Sequence, residues 1–192
     1  MEENIKELEE KEKKADKKSN IRHTIVVYLT IGVATVAFMV FLYTAILINT
    51  NIPSESMEQT LMTGDRVIGN RLAYKFGNDP ERFDIVIFNA PDEPSKLYIK
   101  RIIGMPGDKV VIKDGEVYIN DDSNPLNDSF VNGEMDKSEN MEFHVPENHY
   151  FMLGDNRNES YDSRYWENSY VEKDEIVAKA VFKYWKGLKV LK

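Results

Sequence analysis

The sequence contains no cysteine and only three histidines, His23, His144 and His149, scattered along 192 residues. Without cysteine there is no disulfide scaffold, no thiol nucleophile and no thiolate metal site, which excludes sortases and papain-like proteases. The histidines form no H-E-x-x-H motif, so no metal and no other cofactor is expected. Positive charge is scarce as well. Lys and Arg number 25 against 33 Asp and Glu, a formal net charge of −8. Binding phosphate requires a basic face, so nucleic acid is not an expected partner. What the chain does have is 42% hydrophobic and 11% aromatic residues, enough to bury the core of one ordinary domain.

These averages conceal three unlike segments. Residues 1–24 are polar, and between Glu2 and Lys18 six Lys face seven acidic residues. Such mixed charge reads as a solvated cytoplasmic tail or a frayed helix. Residues 25–48 carry no charge at all. As a helix this run spans about 36 Å, more than the roughly 30 Å hydrocarbon core of a bilayer. A buried core helix rarely runs so long without a polar side. A cleavable signal peptide has a shorter apolar region ending in small residues, whereas this one ends in Ile46, Leu47 and Ile48. The run is therefore expected to be a retained transmembrane helix over 25–48. Lys13, Lys14, Lys17, Lys18 and Arg22 precede it, and the next Lys or Arg is Arg66. The excess of positive charge belongs on the cytoplasmic side, which predicts a cytoplasmic N-terminus and an extracytoplasmic domain over 49–192.

That domain has the texture of β structure. Alternating or β-branched runs occur at 65–70, 84–88, 97–103, 109–113, 116–120, 141–145, 150–153 and 176–185. Asp114-Gly115 is a hairpin signal, and Pro106-Gly107 marks another turn. Most of these runs have no amphipathic helical pattern between them, which speaks against a βαβ architecture. Residues 120–140 are rich in Asn, Asp, Ser, Gly and Glu and read as a mobile insertion. The expectation is a mostly β domain of seven or eight short strands behind one membrane anchor.

Four patches carry polar chemistry. The first is Ile52-Pro53-Ser54-Glu55-Ser56-Met57-Glu58-Gln59-Thr60-Leu61, and the second is Gly64-Asp65-Arg66-Val67-Ile68-Gly69-Asn70-Arg71. Alone, the first reads as a turn and the second as a turn followed by a strand. The third, Tyr98-Ile99-Lys100-Arg101-Ile102-Ile103-Gly104-Met105-Pro106-Gly107-Asp108, sets two cations in an apolar strand. Alternation puts Lys100 and Arg101 on opposite faces, so at least one lies against a packed surface. A desolvated Lys loses its proton, whereas Arg stays charged and needs a carboxylate. The fourth, Gly154-Asp155-Asn156-Arg157-Asn158-Glu159-Ser160-Tyr161-Asp162-Ser163-Arg164, alone reads equally well as a solvated loop with surface ion pairs.

In this order, behind a single membrane helix, the four patches resemble the type I signal peptidases of bacteria. The words P-S-x-S-M, G-D-x-V, Y-I-K-R-x-I-G-x-P-G-D and G-D-N-R-x-x-S-x-D-S-R cover residues 52–164, and the remainder matches loosely. The resemblance implies a serine endopeptidase that removes signal peptides from exported precursors at the outer face of the cytoplasmic membrane. It implies a fold of two antiparallel sheet regions, the smaller an insertion at about 111–147. It makes Ser56 the nucleophile and Lys100 the general base, with Ser54 assisting the Ser56 amide in the oxyanion hole and Ser160 orienting the lysine. Arg101, Asp155, Arg157, Asp162 and Arg164 then brace the site.

The chemistry has its own logic. A Ser hydroxyl needs a base to take its proton and donors for the developing oxyanion. A Lys near its unperturbed pKa of about 10.4 is protonated and useless as a base, but burial beside Ile99, Ile102 and Ile103 lowers it, here to an expected range of roughly 7 to 9. His144 and His149 are the alternative bases, though neither has a catalytic-looking context. The sequence departs from the family pattern at Glu55, where a small residue is usual, and at Gln59, where Pro is usual. In an extended segment Glu55 points away from the nucleophile. An extended substrate added beside a strand gains backbone hydrogen bonds without sequence preference, so selectivity requires shallow pockets for small side chains. Ile52, Pro53 and Tyr98 are expected near them. Two other classes share features with this chain. A self-cleaving repressor would need a DNA-binding domain where the apolar run stands, and a non-catalytic anchored β domain for surface-protein assembly would tolerate loss of Ser56 and Lys100.

Overall fold

The computed structural model describes residues 2–131, 135–136 and 140–191, with side chains from residue 17 onward. The chain divides into two compact units, Met1–Ala45 and Ile46–Lys192. The first is a single helix, α1 (Glu2–Ile46). Within it, Lys17–Ile46 is long and apolar enough to cross a membrane. Its threonine hydroxyls are satisfied within the helix, as a lipid environment requires. The Thr24, Thr30 and Thr35 hydroxyls each donate at 2.8 Å to the carbonyls of Asn20, Val27 and Ile31. Helix and apolar run do not end together. The run was expected to stay helical to Ile48, but Leu47 and Ile48 open strand β1 (Leu47–Asn51). Pairing with β2 (Arg66–Asn70) sets this boundary, with Ile48 opposite Gly69. A β-branched residue next to a waiting strand edge gains more from the ladder than from another half turn of helix.

The second unit is built of antiparallel strands. The remaining strands are β3 (Ile85–Asn89), β4 (Leu97–Gly104), β5 (Lys109–Lys113), β6 (Glu116–Ile119), β7 (Met141–His144), β8 (His149–Leu153), β9 (Val171–Glu172), β10 (Ile176–Lys183) and β11 (Lys189–Val190). The large sheet has the order β1-β2-β10-β3-β4-β8-β9, with β11 paired to β10, and a smaller sheet has the order β6-β5-β7. The eight strands expected from alternation are all present, with ends differing by one or two residues. Three more were not foreseen. β1 is hidden in the end of the apolar run, and β9 and β11 are two residues each, too short for alternation to register. At the hairpin between β5 and β6, Asp114 and Gly115 both have positive φ (53° and 82°), as a type I′ turn demands.

Three apolar clusters fill the unit. One gathers Val86, Phe88, Ile102, Met152 and Trp166, a second Ile103, Val110, Val117, Phe151 and Leu153, and a third Ile52, Met57, Leu61, Val67 and Ile85. β4 contributes to all three, with Ile102 in the first, Ile103 in the second and Ile99 packed against the third. The loop expected to be mobile falls partly outside the described residues, at 132–134 and 137–139. Its described part is tied down: the Leu126 amide donates to the Val117 carbonyl at 2.7 Å, and Met135 is buried.

Candidate active site

The first patch does not run extended. Residues 54–61 coil, with Glu58 N–H bonded to the Glu55 carbonyl and Leu61 N–H to the Met57 carbonyl. Met57 and Leu61 are completely buried and anchor the turn from below. Its mouth is closed by the pairs Ile52 N–H to Asp65 carbonyl and Gly64 N–H to Ile52 carbonyl, at 2.9 and 2.8 Å. Ser56 is thereby lifted to the rim of a groove while keeping only 5% of its surface exposed. Gln59 has φ 75°, a left-handed conformation that proline, fixed near −65°, cannot adopt. The departure from the family pattern at this position therefore has a backbone reason.

The groove has a volume of about 520 Å³ and is bordered by Pro53, Ser54, Ser56, Ile87, Tyr98, Lys100, Glu159 and Tyr161, among others. Of the residues expected near the specificity pockets, Pro53 and Tyr98 border it. Ile52 does not: it faces the third core cluster at 1% exposure. Glu55 is exposed and outside the lining, although the premise of an extended segment fails. His144 and His149 are also absent from the lining; His144 lies on β7 with its side chain 73% exposed, and His149 sits against the Glu147 carbonyl.

Lys100 enters this groove from β4, opposite Val86 of β3. It is 5% exposed. Burial pushes its ammonium down to about 8; Asp162 and Asp155 oppose this and Arg164 assists it. Among the described residues no hydrogen bond or ion pair reaches its amine, so Lys100 and Ser56 share the groove without bonding to each other. Catalytic hydrogen bonds are often long in a substrate-free site and tighten when it is filled. Ser56 Oγ lies 3.3 Å from Ser54 Oγ. Among the described residues no hydrogen-bond partner meets the buried Ser160 Oγ.

The back of the site is the reverse. Arg101 Nε and Nη2 donate to Asp155 Oδ1 and Oδ2 at 2.8 and 2.7 Å, a two-point grip, and Nη1 donates to the Phe83 carbonyl at 2.8 Å. Thr60 Oγ1 donates to Asp155 Oδ2 at 2.6 Å, and Asn156 N–H to the Ser56 carbonyl at 3.1 Å. Asn156 Nδ2 also donates to the Glu55 carbonyl at 3.2 Å, so the turn carrying Ser56 is pinned to the 154–156 loop at three points. A Cβ on Gly154 would stand 2.2 Å from Ser160 Oγ and 2.4 Å from the Ser56 carbonyl oxygen, so only glycine permits this approach. Asp162 accepts from Gly154 N–H at 3.0 Å and from Arg164 Nε at 2.8 Å, while Arg157 Nε donates to the Gly154 carbonyl at 3.1 Å. Of the residues given a role by the motifs, Ser54, Ser56 and Lys100 border the groove, Ser160 lies in sequence between the lining residues Glu159 and Tyr161, and Arg101, Asp155, Arg157, Asp162 and Arg164 are buried outside its lining. Thr60 and Asn156 were overlooked. Both lie inside the quoted motifs, where a buried hydroxyl and an amide next to charged neighbours were the available signal.

A serine and a buried, unpaired lysine in one groove, on an antiparallel β domain preceded by a membrane-length apolar helix, define a class of membrane-anchored Ser–Lys proteins. Residues 22–185 match the family model described as signal peptidase, peptidase S26, and the chain belongs to that family. It is 40% identical over 139 residues to the probable signal peptidase I-2 of Synechocystis sp., a match covering 70% of this chain and 61% of that one. It is 39% identical over 150 residues to the chloroplastic thylakoidal processing peptidase 1 of Arabidopsis thaliana, covering 73% and 42%. A solved structure of a signal peptidase I from Enterococcus faecalis V583 is 31% identical with a TM-score of 0.45, covering 53% of this chain and 96% of that one. The chain spans less than two thirds of the length of the two curated relatives.

Proposed function

We propose that this protein is a serine endopeptidase that removes N-terminal signal peptides from exported precursors, with Ser56 as nucleophile and Lys100 as general base. What supports the reading is one observation within a signal peptidase family member: Ser56 and a desolvated Lys100 border the same groove. A neutral Lys100 amine takes the Ser56 proton as Oγ adds to the scissile carbonyl carbon. The oxyanion is held by the Ser56 amide and the Ser54 hydroxyl, whose Oγ stands beside Ser56 Oγ. The Lys100 ammonium then returns the proton to the leaving amine, and water, deprotonated by the same amine, hydrolyses the acyl-serine. The Ser160 hydroxyl orients the Lys100 amine. Arg101, Asp155, Arg157, Asp162 and Arg164 brace the loop that carries Ser160. No cofactor takes part.

In this reading residues 1–24 form a cytoplasmic tail, the apolar helix is the anchor in the cytoplasmic membrane, and the β unit with its small-sheet insertion works on the extracytoplasmic side, where the signal peptides of precursors emerge. The basic residues before the apolar run and their absence immediately after it support that orientation. Two experiments test the proposal. Purified protein should cleave a precursor between signal peptide and mature part, and a peptide with Ala at the first and third positions before the cut, whereas Ser56→Ala should not. Protease added to wall-stripped cells should digest the β unit and spare the tail; protection of the whole chain would overturn the orientation.

A further inference from the structure

Among the described residues between β6 and β7, three side chains each meet a different buried arginine. The Phe130 ring lies 4.0 Å from the Arg101 guanidinium carbon and packs edge-on against Phe83. Asp128 Oδ2 is 2.9 Å from Arg157 Nη2, an ion pair set off the N–H direction. Burial lowers the Arg157 pKa, and Asp128 is the largest charge opposing that shift. Arg164 Nη1 meets Met135 Sδ at 3.3 Å. The Asp136 amide donates to Asn158 Oδ1 at 3.0 Å.

Those arginines fix the backbone of the catalytic loop. Arg157 binds the Gly154 carbonyl, and Arg164 Nη2 binds the Arg157 and Ser160 carbonyls at 2.6 and 3.3 Å. Arg101 holds Asp155, which holds Thr60 of the serine turn. Each guanidinium therefore has one end on the site and the other on the loop from the small sheet.

We propose that Asp128, Phe130 and Met135 are positioning residues for Ser56 and Lys100, a strap that locks three buried guanidinium groups behind the catalytic loop. The proposal rests on the Ser56–Lys100 reading above. None of the three borders the groove, so they act through the arginines and not on substrate. Loosening the strap frees residues 154–160, displaces Ser160 and lets water reach Lys100. Asp162, Arg164 and Asp155 are the charges acting on that amine, and all three lie on the restrained segment or are gripped by it.

The test uses the full chain in detergent and the alanine peptide named above, with kcat, KM and the pH dependence of kcat/KM measured for Asp128→Asn and Phe130→Leu. Displacing reacting groups by a fraction of an ångström should lower kcat roughly tenfold in each, with KM changed less than about twofold. The alkaline rise should move upward as the amine is rehydrated, and Asp128→Glu should recover most of kcat. Folded variants with the kcat and pH profile of the parent, in which Ser56→Ala is inactive, would overturn the strap. So would loss of the folded state in both variants, since the segment would then hold the fold and not the site. A parent whose activity survives Ser56→Ala would instead overturn the catalytic reading on which the strap depends.

Discussion

Lys100 and Arg101 are consecutive on β4, both cationic, and 5% and 2% exposed, yet the two faces of the strand treat them oppositely. On the back face Arg101 is met by both oxygens of Asp155, a carbonyl and an aromatic ring. On the groove face the Lys100 amine has no hydrogen bond among the described residues and loses proton affinity to burial. The desolvation is similar and only the compensation differs. A buried charge with partners is a structural brace; a buried charge without them is unstable as an ion and stands ready as a neutral base. The comparison also explains why the pair occurs as Lys then Arg. Guanidinium cannot shed its proton and must be paired, whereas ammonium can, and needs no partner to be useful.

The comparison can be broken most severely by exchanging function for an inert side chain. Lys100→Met and Ser56→Ala should each lower peptide cleavage by roughly a thousandfold or more, and the double variant should lose little beyond either alone, because the two act as one unit. Near-parental cleavage by Lys100→Met would remove Lys100 as the base.

Stability should move in opposite directions on the two faces. Arg101→Met leaves the Asp155 carboxylate buried and unpaired, an expected loss of about 3–5 kcal/mol in denaturant unfolding. Lys100→Met removes a charge that folding disfavours. The folded pKa of about 8 lies below the unfolded 10.5, so the fold bears the cost of the protonated amine below pH 8 and is relieved of it as pH rises towards 10.5. Lys100→Met should therefore be more stable than the parent by roughly 3 kcal/mol near pH 6–7, a gain that fades above pH 8. Equal signs for the two substitutions would erase the contrast.

The same depression sets the activity profile. In the proposed mechanism only the neutral Lys100 amine accepts the Ser56 proton, so kcat/KM should rise with pH through a midpoint near 8. A midpoint near 6.5 that vanishes on changing His144 or His149 would transfer the role of base to histidine. The smallest effect concerns the serine turn itself. Gln59→Gly relieves the positive φ and should change stability by no more than about 1 kcal/mol, usually upward, whereas Gln59→Pro cannot adopt it and should cost at least about 2 kcal/mol. Thermal unfolding of both variants checks this.

The sequence by itself determined the elements whose signal is local. The uncharged run names the apolar half of the helix, though not its start at Glu2, because length and apolarity are properties of one stretch of chain, and alternation names the eight longer strands for the same reason. The four motifs pointed to Ser56, Lys100 and their supports only through their joint resemblance to the type I signal peptidases, since each patch alone reads as a turn, a strand or a solvated loop. Long-range pairing decided the rest. β1 takes Leu47 and Ile48 from the end of the apolar run only because Gly69 and Asn70 wait opposite them. The left-handed turn at Gln59 sits directly before Thr60, whose hydroxyl reaches Asp155 across 95 positions. Asp128, Phe130 and Met135 lie in a stretch whose composition suggested only a loop, and nothing local announces that each will meet a buried arginine. Residue type already says that the arginine must be paired and the lysine need not be, but alternation separates the faces without saying what covers them; the partners of Arg101 are the Phe83 carbonyl, Asp155 of the 154–164 loop and Phe130 between β6 and β7, and only the folded chain brings these together.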